Sequence, residues 1–91
     1  MDKNKQIFLN EILPSSYSRN LLVQRAKRYN IQLAKEEKLI KPHNRIFKTY
    51  LITPNQLEEI EKKYYDTIHE IGRNEEFEFI ISIVKSKLES V

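Results

Sequence analysis

Apolar positions along the chain change period from helical to extended and back to helical. Ile7, Phe8, Ile12 and Leu13 predict a short helix over Lys3–Leu13. Asp2 is its expected cap, and Pro14 closes it, because the residue before a proline avoids helical angles. From Ser16 to Asn30, Leu22, Ala26 and Tyr29 fall at i, i+4 and i+7, and Val23 widens the stripe. Ser15 or Ser16 is the N-cap. Asn20, Gln24, Lys27 and Arg28 occupy the opposite side, with Arg25 on its flank, so the wet face of this helix is basic and amide-rich. Ile31–Glu37 is ambiguous. Ile31 and Leu33 alternate as in a strand, while Ala34-Lys35-Glu36-Glu37 favours helix. A short helix or turn is expected there.

Leu39-Ile40-Lys41 and Ile46–Ile52 are rich in β-branched and aromatic residues, and Pro42-His43-Asn44-Arg45 between them has turn chemistry. Together they predict a β-hairpin with a basic tip. Thr53, Pro54 and Gln56 then form a capping signature. Leu57, Ile60, Tyr64, Ile68 and Ile71 recur as a helical stripe ending at Gly72, a C-cap residue. Asn74 caps a last helix, with Glu75 and Glu76 favourable in its first turn. Phe77, Phe79, Ile80, Ile81, Ile83, Val84 and Leu88 make that helix apolar on most sides, and its start also alternates like a strand.

The order helix, helix, short element, hairpin, capped helices is that of a winged helix-turn-helix. The expected fold is therefore α+β and mainly helical, with one hairpin and a C-terminal helical pair. The 91 residues form one domain, divided into a basic part (1–53) and a helical part (54–91).

Charge sharpens this division. Residues 1–49 carry 11 Lys and Arg against 4 Asp and Glu, a net +7; residues 50–91 carry 5 against 9, a net −4. A basic half joined to an acidic half suggests a polyanion partner for the first and a protein partner, or a second copy, for the other. Winged helices place a helix in the major groove and lay the hairpin along the backbone. Asn20 and Gln24 suit adenine edges, and Arg25 or Arg28 suits guanine. Ser15, Ser16 and Ser18 lie where hydroxyls and the helix dipole meet phosphates. Lys27 adds charge to the same face, while Lys41, His43, Asn44, Arg45 and Lys48 form a phosphate-gripping wing. An ordinary solvated face with a charged edge strand is the simpler alternative.

Leu39–Arg45 and Lys48–Ile60 together resemble the wing and following helix of MerR-type and excisionase-like regulators, over about 22 residues. Pro42, Arg45, Tyr50, Thr53 and Leu57 fill the places of that pattern. Lys38 stands where the family has glycine, and too few residues separate Asn30-Ile31 from Leu39 for the family's usual recognition helix. The resemblance implies a wing and no effector.

Other chemistry is sparse. The absence of cysteine excludes disulfides and thiolate metal sites. Asp66, His69 and Glu70 share one helical face but form a minimal ligand set. Tyr64 belongs to the core stripe and Tyr65 beside it is a half-buried neighbour, without the companions a nucleophilic tyrosine needs. With one glycine there is no phosphate-binding glycine loop. The expectation is a non-enzymatic protein without cofactor or metal. Phe79–Val84 is far too short to span a membrane, and Met1–Lys5 leads into no signal-peptide region, so a cytoplasmic location is expected. The last helix has more apolar surface than a small domain covers, which predicts a homodimer through Phe77, Phe79, Ile80, Ile83 and Val84.

The function expected is a sequence-specific binder of double-stranded DNA, acting as a transcriptional regulator or recombination accessory factor. The Lys-, Ile- and Asn-rich composition suggests a phage or plasmid context. The alternative is an inhibitor or adaptor that docks a protein on its acidic helices.

Overall fold

Long-range strand pairing overrides local preference in the first third of the chain. The computed structural model describes residues 4–40 and 45–90, and of 38–40 and 45–48 the backbone alone. Its elements are β1 (Ile7–Phe8), α1 (Leu9–Ile12), α2 (Ser16–Arg28), β2 (Lys35–Ile40), β3 (Arg45–Ile52), α3 (Pro54–Ile71) and α4 (Glu75–Glu89). The three strands form an antiparallel sheet in the order β1-β3-β2. The fold is thus α+β and mainly helical.

Two expectations are corrected here. The helix expected over Lys3–Leu13 is a two-residue strand followed by a single helical turn. Ile7 and Phe8 pair with Ile52 and Leu51, so their backbone groups are satisfied across the sheet rather than along a helix. Asp2, the expected cap, lies outside the described residues. The short helix or turn expected over Ile31–Glu37 is also absent. Asn30 takes a positive φ of 61° after α2, and the chain then extends into β2. Lys35, Glu36 and Glu37 pair with Tyr50, Thr49 and Lys48. The Ala-Lys-Glu composition favours helix by only a few tenths of a kcal/mol per residue, which a strand ladder outweighs.

The hairpin is present and longer than expected, with register running from Lys35↔Tyr50 to Ile40↔Arg45. The C-terminal helices follow their local signals. Thr53 and Gln56 form a reciprocal capping box, Pro54 opens α3, and Gly72 closes it at φ 79°. The Asn74 side chain accepts the Phe77 N–H at 3.0 Å and starts α4, which is helical throughout despite its alternating start.

One core unites these elements. Leu9, Ile12 and Leu13 from the N-terminal turn meet Leu22, Val23 and Ala26 of α2, Ile52 of β3, Leu57, Ile60 and Tyr64 of α3, and five residues of α4. Leu51, next to Ile52, is buried on the other face of the strand, as the two-residue period requires. Among the described residues no helix is long and apolar enough to cross a membrane.

Arg19 holds the turn between α1 and α2. Its guanidinium donates to the Leu13 carbonyl at 2.7 Å and the Pro14 carbonyl at 2.8 Å, groups that a proline-terminated helix leaves without partners. Arg19→Ala should lower stability by about 1–2 kcal/mol, measured by urea unfolding, with an unchanged denaturant slope. An unaltered midpoint would show that water replaces both bonds at no cost.

Candidate nucleic-acid interface

The second helix divides sharply into two faces. Leu22, Val23 and Ala26 are buried against the core, and the Ser15 side chain caps the helix by accepting the Ser18 N–H. Opposite them, Asn20, Gln24, Lys27 and Arg28 are all exposed. These four side chains make no hydrogen bond or ion pair to any described residue. An amide-rich basic face is thus held by a helix whose other side is locked in the core. Arg25, Lys27 and Arg28 lie in the last turn, where positive charge complements the helix dipole.

Arg25 differs from its neighbours. It is half-buried, with its guanidinium 5.3 Å from the Phe77 ring centre and 5.9 Å from that of Tyr29. It therefore ties α2 to α4 as well as carrying charge. Ser16 is exposed and Ser18 half-buried at the helix start.

Within the hairpin, Lys41, His43 and Asn44 lie outside the described residues. Arg45 begins β3 opposite Ile40, and Lys48 lies opposite Glu37; both are placed by backbone only. Among the described residues no helix stands between α2 and β2, so α2 is the helix that precedes the hairpin in chain order.

Two residues of this region carry no signal in the linear pattern. Tyr17 is 59% exposed one turn before Asn20, and its hydroxyl donates to Glu76 of α4 at 3.3 Å. Arg73, in the α3–α4 turn, donates through Nε to both Glu78 carboxylate oxygens, at 3.1 and 2.9 Å. Glu78 also accepts the hydroxyl of fully buried Tyr64 at 2.8 Å. Arg73 first, then Tyr64, hold the Glu78 carboxyl below its usual range, and burial pushes the Tyr64 hydroxyl up. Only the turn between the helices brings these groups together.

On α4 the five residues expected at a dimer interface separate. Phe77, Ile80 and Val84 are buried in the chain's own core, whereas Ile83 is half-buried and Phe79 is 64% exposed. The first three are occupied within the monomer because α4 packs against α2 as well as α3. Asp66, His69 and Glu70 are exposed on α3, and among the described residues no three acidic or histidine side chains converge as a metal site would require.

No family model, curated protein or solved structure gives a significant match to the chain.

Proposed function

We propose that this chain is a small, sequence-specific double-stranded DNA-binding protein of winged helix-turn-helix type. In this reading α2 enters the major groove and the β2–β3 hairpin lies along the backbone. The observation that carries it is the outward face of α2, where Asn20, Gln24, Lys27 and Arg28 are exposed and unengaged by described residues. Amides suit base edges and cations suit phosphates, and a rigid helix presents both at fixed spacing. The strand–turn–helix–hairpin order, with the short first strand completing the sheet, supports the same reading. A regulator of transcription or an accessory factor in recombination would need no more machinery than this.

Selection from a pool of randomised duplexes tests it. Enrichment of one motif, with preference relaxed at one base pair in the Gln24→Ala variant, is the expected result. A pool that stays random after repeated rounds would contradict sequence-specific binding.

We also propose that the protein is a homodimer joined through the outer face of α4, centred on Phe79. An exposed phenylalanine beside half-buried Ile83 is apolar surface that the monomer leaves uncovered. Phe79→Glu should give a monomer in sedimentation with an unchanged circular dichroism spectrum and a melting temperature that no longer depends on protein concentration. A variant that sediments as the wild type does would remove this face from the assembly. The same ring is the feature that favours the alternative, an adaptor that docks a protein partner on its acidic helices.

A further inference from the structure

We infer that the cleft between the C-terminal end of α2 and the α3–α4 turn binds a phosphate group. Arg25 and Arg28 of α2 and Arg73 of the turn line it, with Glu75 also in its wall. Arg73 is far in sequence from Arg25 and Arg28, and meets them through the packing of α2 on α4.

Each guanidinium is prepared in a different way. Arg73 is anchored through Nε by Glu78, which is itself held from the core by Tyr64. Its terminal amino groups have no partner among the described residues, and its side chain is 69% exposed. Arg25 is held against the Phe77 and Tyr29 rings, a contact that restrains the group without spending its N–H donors. Arg28 is exposed and makes no hydrogen bond or ion pair to a described residue. Several planar donor forks at one cleft suit tetrahedral phosphate oxygens, which accept paired N–H bonds.

The charge balance narrows the ligand. Three guanidiniums and Glu75 line the cleft, and Glu78 behind it pairs with Arg73, leaving one net positive charge. This matches a monoanionic phosphodiester better than a free phosphate dianion. At the start of α4 the Asn74 side chain already takes the Phe77 N–H and the Tyr64 hydroxyl takes that of Asn74, so the arginines are the donors proposed here. A phosphodiester from a duplex backbone rests on the DNA-binding reading; the phosphate chemistry of the cleft does not.

The test follows the arginine Nε–Hε signals of the isotopically labelled full chain at low salt. Inorganic phosphate and a short random-sequence duplex are titrated separately. The Arg25 and Arg73 signals should shift with the duplex, and more weakly with inorganic phosphate. Arg73→Gln should weaken specific and random duplexes alike, lowering the log–log salt slope by about 0.9, the loss of one phosphate contact. Arg73→Lys, which keeps the charge but not the planar fork, should restore most of the lost salt slope. If phosphate moves these signals and the duplex does not bind, the cleft stands with a free phosphate as its ligand and the DNA reading fails. If the duplex binds while these signals stay fixed and Arg73→Gln is neutral, the cleft is overturned and the DNA reading survives. If neither anion moves them, the inference is overturned.

Discussion

Phe77→Ala is expected to destabilise the protein by about 3–5 kcal/mol, the usual cost of removing a buried aromatic ring. Phe77 is 1% exposed, packs against the Tyr64 ring at 5.1 Å between centres, and supports Arg25 from α2. Its loss opens a cavity where α2, α3 and α4 meet. A domain of this size has only about 5–15 kcal/mol to lose. The melting temperature followed by circular dichroism should fall by about 15–30 °C. A variant that stays fully stable but changes its oligomeric state would place Phe77 between chains rather than within one.

The second large effect separates base reading from phosphate gripping on α2. Gln24 carries no charge and is exposed at the middle of the outward face, so its removal should leave the fold intact. Gln24→Ala should weaken the preferred duplex by about 1–3 kcal/mol, relax preference at one base pair, and leave the salt slope unchanged. Arg28→Ala should weaken preferred and random duplexes equally and make the slope shallower by about one. Fluorescence anisotropy on both duplexes, at several salt concentrations, distinguishes the two. If Gln24→Ala reduced both duplexes equally, α2 would be a backbone contact only.

Several elements were legible in the linear sequence because their signals are local. Ser15 before α2, Thr53-Pro54-Gln56 before α3, Gly72 after it and Asn74 before α4 each satisfy terminal backbone groups by themselves, and the structure places them as caps. The missed elements depend on distant partners. Ile7-Phe8 is too short to show an alternation, and becomes a strand only because Leu51-Ile52 lies beside it. Lys35–Glu37 has helical composition, yet β3 supplies a ladder that a helix there would forfeit. At the candidate interface, the polar side of α2 could be read from periodicity. The stacking of Arg25 on Phe77 and the approach of Arg73 could not, since both arise from the crossing of α2 and α4. The apolar breadth of α4 in the linear pattern suggests surplus for a partner; burial of Phe77, Ile80 and Val84 leaves Phe79 and half-buried Ile83 as its remainder.

The affinity for duplex DNA as a function of salt tests the central claim most directly. With about four to six phosphates gripped by α2, the hairpin and the cleft, log affinity should fall against log salt with a slope of about −3.6 to −5.4. A slope near zero, or no binding at low salt, would contradict the account and turn attention to a protein partner for the acidic helices.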